Sequence, residues 1–316
     1  MRSSTARRLK SPQPPRQLPE TQAPRPLIVA GRGNLGRSLA RALRAVGHPV
    51  RLVSVRTELP KLVRALELQP GAVVFLTVPD GAVAVVAAKL AAATPAIPAT
   101  VSFVHASGAL ELGALAALRA RHSVGSFHPL RSFPEPGPPE AFRGIVIAVD
   151  ASSVALRRIL DRLARDLGAK PRRVDDSQRA LYHAAAVLAS NYVVALLGEA
   201  VSVLVQSGWT EKDAIRGLVP LAEGALLNVK RRGAVAALTG PIRRGDEGTV
   251  GRHLDALGEL DASSPSRRPR RTDLYRMLGE VALEIAQEAG LERAAAKRTR
   301  RALTQKVAAT RRRSRQ

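Results

Sequence analysis

Three sets of residues carry types and spacings that can do chemistry. The first is Gly31-Arg32-Gly33-Asn34-Leu35-Gly36, a G-x-G-x-x-G hexamer between an apolar run and a helical pattern. Glycines at this spacing allow a tight turn, bring backbone N–H groups up to a diphosphate, and let the next helix pack closely on the strand. The positive end of that helix then faces the phosphates. The second set is histidine-centred. His105 and Ser107, in Val-His-Ala-Ser-Gly, are expected just past the fourth strand, and Ser126, His128 and Pro129 just past the fifth. Both groups then fall on the same carboxyl edge of the sheet as the glycine turn. His183 and Asn191 belong to a long helical pattern, with positions 183, 187 and 191 sharing one face over about 12 Å. There His183 fits a general acid, because imidazole titrates near neutrality, and Asn191 an amide that fixes a substrate oxygen. A core pair or a dimer contact is the competing reading for these two. The third set is Arg243 and Arg244, in a predicted loop that also holds Asp246, suited to an anionic substrate group or a subunit interface.

The second strand's end reads the dinucleotide's ribose. An NAD enzyme carries Asp or Glu there for the 2′-hydroxyl. This chain has Ser54-Val55-Arg56-Thr57, and the Arg56 guanidinium suits a 2′-phosphate. The expected cofactor is NADP(H), with Glu58 keeping NAD(H) as the alternative. Thr77, Val78 and Pro79 end the third strand and are expected along the nicotinamide ribose, and Asp80 is expected to cap the helix that follows.

These residues need a frame. Leu27–Ala30, Val50–Val55, Ala72–Val78, Thr100–Val104, Ser123–Phe127 and Ile145–Val149 read as strands, with a short extended piece near Arg172–Val174. Helical patterns at Leu35–Val46, Leu59–Leu68, Gly81–Ala92, Ala109–Arg121 and Ser152–Leu167 alternate with them. Such alternation makes βαβ units, a parallel sheet and a doubly wound α/β layer structure. After Asp175 the strand signal stops. Asp176–Gln206 reads as one long helix, followed by helical stretches at Glu211–Gly217, Leu221–Arg232, Thr249–Leu260 and Thr272–Ala289, with Asp261–Arg271 as a loop. The domains expected are a basic leader over 1–26, a dinucleotide-binding domain over 27–175, an all-helical domain over 176–291 and a basic tail over 292–316, with Leu291–Gln316 read as a basic helix that frays.

Composition narrows the function class. The 316 residues contain no cysteine, which excludes disulfides, thiolate metal clusters and a cysteine nucleophile. No metal site is expected. The longest apolar run noted, Ala82–Ala88, is too short to span a bilayer, and no apolar segment follows the basic N-terminus, so a cytoplasmic protein with no membrane role is expected. The net charge is +24, but residues 1–26 hold +5 and residues 292–316 hold +9. Weak, salt-sensitive polyanion binding by the tails is one consequence. One Trp, three Tyr and five Phe, none within a basic run, leave a stacking platform for single strands unsupported.

Six blocks in order, GRGNLGRSLA, FLTVPDGAV, FVHASGAL, GSFHPLRSF, LYHAAAVLASNYVVALL and ALTGPIRRGDEGTVGRHL, resemble the Rossmann-like and DUF2520 domain family of oxidoreductases over about residues 27–290. The resemblance implies an N-terminal NAD(P)-binding domain and a helical C-terminal domain, an arrangement similar to 6-phosphogluconate dehydrogenase, pyrroline-5-carboxylate reductase and ketopantoate reductase. It also implies a homodimer through the helical domain, which completes the active site. Many β-hydroxyacid dehydrogenases carry Lys four residues before the helical Asn. Aligned on Asn191, that position is Val187, so either His183 takes the lysine's place, or His105 or His128 does the chemistry, or there is no turnover. The expected activity is NADP(H)-dependent reduction of a small, anionic carbonyl or imine substrate, with ketopantoate one candidate. A non-catalytic dinucleotide sensor using the same pocket is the alternative.

Overall fold

The computed structural model describes residues 25–93, 96–264 and 270–305. The chain divides into two compact units after Asn191. This division falls inside the helical stretch, later than the boundary expected ahead of Asp176.

The first unit is built on seven strands: β1 (Leu27–Ala30), β2 (Val50–Val53), β3 (Val73–Leu76), β4 (Ser102–His105), β5 (Ser123–Pro129), β6 (Val146–Ala151) and β7 (Lys170–Arg173). Their order in the sheet is β2-β1-β3-β4-β5-β6-β7. The runs LIVA and VVFL of β1 and β3 are wholly buried, as strands covered on both faces must be. One face packs on α1 (Asn34–Ala45) and α5 (Val154–Asp166) through Leu39, Leu43, Leu156, Leu160 and Leu163. The other packs on α2 (Leu59–Glu67), α3 (Asp80–Ala92) and the single turn α4 (Ala116–Arg119) through Leu62, Leu66, Val83, Leu90 and Leu118. Apolar residues at i, i+3, i+4 and i+7 explain why α1 buries Gly36, Leu39, Ala40 and Leu43.

The fold is therefore a doubly wound α/β sheet followed by helices, as expected, with several local corrections. β6 runs antiparallel to β5, and β7 parallel to β6, so the last two strands reverse the sheet. The connection from β5 to β6 holds only a 3-10 turn at Pro139–Phe142, and without a crossover helix a returning strand must be antiparallel. The extra pairings His128↔Ala148 and Pro129↔Ile147 lengthen β5. His128 and Pro129 thus lie within the strand rather than past it, and His105 is likewise the last residue of β4. The helix expected over Ala109–Arg121 shrinks to a 3-10 turn at Leu112–Leu115 and the turn of α4.

The long helix expected over Asp176–Gln206 is two, α6 (Asp176–Ala189) and α7 (Asn191–Gln206). Ser190 breaks it with φ −126° and ψ −74°. Ser and Asn offer the backbone local hydrogen bonds that compete with helix, so Ser190-Asn191 is a natural stop. Across residues 176–206 the best window has a mean hydropathy of 1.7, long and apolar enough to cross a membrane by length and composition alone, and none of that window is buried in the chain.

The second unit adds α8 (Glu211–Ala237), α9 (Gly240–Arg244), α10 (Glu247–Ser263), α11 (Arg271–Glu288) and α12 (Arg293–Thr304). Val250, Leu254, Leu283, Ala296 and Leu303 form its core. Two of these come from α12, so the helix expected from Leu291 onward is present over Arg293–Thr304 and is packed into this unit. Asp261, expected in a loop, is buried in the last turn of α10. Its carboxylate accepts the backbone N–H groups of Arg271 (3.0 Å) and Thr272 (3.1 Å), capping α11. By contrast α7 buries no residue and α8 only Ala214, leaving Val194, Leu221 and Leu226 exposed. The leader, residues 1–24 of it, and positions 306–316 of the basic tail lie outside the described residues.

Candidate functional site

In an open α/β sheet, ligands bind outside the carboxyl ends of the strands where the winding reverses. Here that point lies between β1 and β3, since α1 leads to β2 on one side and α2 returns the chain to β3 on the other. The glycine hexamer occupies it. Gly31 has φ +142°, and a Cβ there would run into the Thr77 carbonyl. A Cβ on Gly36 would strike the Gly31 carbonyl and Thr77 Oγ1. Thr77 Oγ1 itself donates to Gly31 O at 3.1 Å, tying β3 to the turn. Gly33 differs: it is the N-cap of α1, and a Cβ there would meet nothing within 4 Å. Open space thus lies above the turn, where α1 begins without a side-chain cap and its first N–H groups lack helical partners. Such a cradle fits a diphosphate.

The residues expected around this turn are arranged as follows. Asn34 donates its side-chain amide to Phe133 O (3.2 Å) and Pro134 O (2.7 Å), so its backbone N–H is what remains for a ligand. Leu35 packs on the core beneath. Arg32 pairs with Glu58 at 3.0 Å, and the same Glu58 oxygen accepts the Ser54 N–H at 2.6 Å. Arg56 and Thr57 stand exposed in the turn after β2. Val78 is half-buried and Pro79 exposed at the end of β3. A groove of about 410 Å³ beside the turn is lined by Arg32, Arg37, Arg41, Arg44 and Leu52.

Further along the same edge, the strand register lays Val53, Ala30, Leu76, His105 and Ser126 side by side in one row across five strands. By the two-residue alternation of a strand, Ser126 and His128 share a face. Against that face lies α6. His128 Nδ1 and the Tyr182 hydroxyl share a hydrogen bond of 2.7 Å, their rings edge to face at 5.7 Å. The His183 ring lies 6.5 Å from that of His128. Arg179, fully buried, donates to Ser126 Oγ (2.7 Å) and Val174 O (2.9 Å), and its Nε stands 3.8 Å from Asp176 Oδ1. Its Nε and the second terminal nitrogen make no hydrogen bond, nor does His183 Nδ1. His105 is also fully buried, with neither ring nitrogen in a well-formed hydrogen bond. Gly108 is required beside them, because a Cβ there would press within 2.7 Å of the His128 ring.

Burial, with the Arg179 charge second, lowers His105 to about 4, against the opposing pull of Asp80 and Asp176. Burial also lowers His128 to about 4, helped by His183 and Arg179 and opposed by Asp80. Burial raises the Tyr182 phenol to about 12, with Arg179 pulling the other way. Near neutral pH the edge therefore presents neutral imidazoles and a protonated phenol under one buried guanidinium.

Several expectations change here. Asp80 does not cap α3. It accepts the Ser107 hydroxyl at 2.8 Å, while Ser107 Oγ accepts the N–H groups of Ala109 and Leu110. Ser107 and Ser126 are both buried, and each hydroxyl oxygen already accepts a hydrogen bond. The break at Ser190 removes the register that was to hold His183 and Asn191 on one face, and Asn191 begins α7, exposed. Arg243 is no free loop cation: it lies in α9 and donates to Ala289 O at 2.8 Å, the carbonyl end of α11, while Arg244 is exposed. Sequence reasoning missed Arg179 and passed over Tyr182. The signal was present in Asp176, Arg179, Tyr182 and His183, polar positions three and four apart along an otherwise apolar helix.

Residues 145–282, from the approach to β6 through most of α11, match the model of a domain of unknown function, DUF2520. No curated protein sequence matches. Among solved structures, a Thermotoga maritima protein is similar at 22% identity and a TM-score of 0.61, covering 83% of this chain and 98% of its own. A Bacteroides fragilis protein described as a candidate NADP oxidoreductase is similar at 24% identity and a TM-score of 0.58, with the same coverage. Plasmodium falciparum pyrroline carboxylate reductase with NADP bound is similar at 12% identity and a TM-score of 0.51, covering 85% of this chain and 99% of its own. At these identities the likeness is one of fold.

Proposed function

We propose that the protein is an NADP(H)-dependent oxidoreductase acting on a small carbonyl or imine compound. The observation that carries this reading is a diphosphate cradle at the sheet's switch point on the same strand edge as the His128–Tyr182 pair. Gly33, with open space above it, and the unpartnered N–H groups that open α1 would hold the diphosphate, and Arg56 would meet a 2′-phosphate. Thr77, Val78 and Pro79 would border the nicotinamide side. A bound nicotinamide supplies hydride chemistry. The chain's own part is to place the substrate, exclude water and provide a proton.

For that proton the Tyr182 hydroxyl, bonded to His128 Nδ1, is the suitable source. A phenol held at about 12 stays protonated at neutral pH and gives its proton only to a group that becomes more basic, as the oxygen or nitrogen anion left by hydride addition to a carbonyl or neutral imine does. A neutral His128 can return a proton to it as a relay, taking one up on its second ring nitrogen as Nδ1 gives one over, and the His183 ring lies 6.5 Å away. Arg179 biases the cluster toward anionic partners. The exposed apolar faces of α7 and α8 fit a second copy of the chain, so we propose a homodimer as the working form.

The test is a calorimetric titration with NADPH and NADH, joined to NADPH oxidation over a panel of 2-oxo acids, ketopantoate among them, aldehydes and cyclic imines. Binding together with turnover on a panel member supports the reading, and His128→Asn and Tyr182→Phe should keep affinity while losing about a hundred-fold or more in turnover. Absence of dinucleotide binding by the wild-type protein would sink it.

A further inference from the structure

The groove beside the glycine turn is strongly cationic, yet its four arginines are not equivalent. Arg37 donates to Arg32 O, Arg41 to Gly137 O, and Arg44 to Val50 O, so each is anchored on a backbone carbonyl. Arg32 instead holds a carboxylate, that of Glu58, at 3.0 Å. Glu58 is in turn fixed by the Ser54 N–H at 2.6 Å, which puts its carboxylate at the carboxyl end of β2. That is where a dinucleotide's adenosine ribose is read, an acid there taking a 2′-hydroxyl and a guanidinium a 2′-phosphate. Two opposite readers therefore meet at one point and neutralise each other, one from the glycine turn and one from the start of α2.

Resting on the dinucleotide reading above, we propose that the Arg32–Glu58 ion pair, acting beside the Arg56 assigned there to the 2′-phosphate, tunes selectivity between NADPH and NADH. The 2′-phosphate competes with the Glu58 carboxylate for Arg32. The phosphate carries more charge and more acceptor oxygens, so it draws Arg32 away, while Glu58 stays on the Ser54 N–H and opposes it. With NADH no phosphate competes, the pair stays closed, and the other Glu58 oxygen is available to a 2′-hydroxyl. Both side chains are partly open to solvent, at 51% for Arg32 and 26% for Glu58, so either can turn without unfolding its element. The balance implies that this chain restrains its preference for the phosphorylated cofactor, and that removing the acid would sharpen it.

The experiment uses the full-length protein and calorimetry with NADPH, NADH and the adenosine halves 2′,5′-ADP and 5′-AMP. Arg32→Ala should weaken NADPH and 2′,5′-ADP about ten-fold or more while changing NADH and 5′-AMP by less than about three-fold. Glu58→Gln keeps an oxygen for the Ser54 N–H, so the turn survives, and it should strengthen NADPH and 2′,5′-ADP by about three- to ten-fold without strengthening NADH. In the Glu58→Gln background, loss of Arg32 should cost more than it does in the wild type. The proposal is overturned if both single variants bind dinucleotide with an unchanged NADPH-to-NADH ratio. It is also overturned if Arg32→Ala weakens all four ligands equally, which would make Arg32 a contact to the adenosine 5′-phosphate they share. If the wild-type protein binds none of the four, the dinucleotide reading itself has failed.

Discussion

Replacing Gly36 by alanine drives a methyl group into the Gly31 carbonyl of the turn and against the Thr77 hydroxyl that ties β3 to it. We expect Gly36→Ala to cost about 1–3 kcal/mol of stability and to abolish dinucleotide binding. Gly33→Ala, facing open space, should fold normally and lose affinity alone. Thermal unfolding paired with an NADPH titration separates the two outcomes. The histidines make a second prediction. His105 and His128 are held at about 4 in the folded chain against 6.5 for a free imidazole. Between those values the unfolded chain binds protons that the folded chain refuses, so their stability contribution is full above pH 6.5 and is lost as pH falls toward 4. Each buried imidazole adds up to about 1.4 kcal/mol per pH unit to that slope. Chemical denaturation from pH 7 to 4 should show it, and the His105→Gln/His128→Gln variant should flatten the curve. An unchanged slope would mean these rings are not held neutral by the fold.

At the scale of elements, caps decide where helices start. Asp261 takes the N–H groups of Arg271 and Thr272 and the Thr272 hydroxyl, all in a buried setting. Asp261→Ala should therefore cost about 2 kcal/mol or more, because it orphans the first donors of α11. Denaturant unfolding of the whole chain checks this, and a loss below about 0.5 kcal/mol would contradict the cap. The same scale shows what could be read in the sequence. The strands β1 to β5, the glycine turn and the alternation with helices were legible because each follows from local apolar pattern and turn chemistry. The reversal at β6 was not, since strand direction depends on the crossover that is missing between Pro129 and Val146. The break at Ser190 hid inside a continuous apolar pattern, and with it the register of His183 and Asn191 was misjudged. Arg179 escaped notice because a buried arginine is read as a surface charge until its partners, Ser126 and Val174, are brought up from distant sequence or the preceding turn. His128 and Tyr182 stand 54 positions apart, and only the sheet makes them a pair.

For the molecule as a whole, charge distribution matters more than net charge. The +24 is spread between termini and surface, yet part of the basic C-terminal stretch is structural: α12 sends Ala296 and Leu303 into the core while Arg300 bonds Glu280 at 2.9 Å. A chain cut before residue 293 should therefore unfold at lower temperature, by several degrees or more, and not merely lose nonspecific affinity for polyanions. Melting curves and heparin retention, measured on the same truncated protein, distinguish packing from charge.

The sheet's outer margin at β7 reads Lys-Pro-Arg-Arg and lies largely open to water. A proline that cannot donate, set among like charges that repel, makes this rim a poor template for a foreign strand. The chain thus keeps a seven-stranded ribbon from growing an eighth strand out of its neighbour. Writing Val-Val-Thr over Pro171-Arg172-Arg173 should leave the monomer's architecture unchanged and turn clear solutions cloudy, a change that light scattering would register within hours.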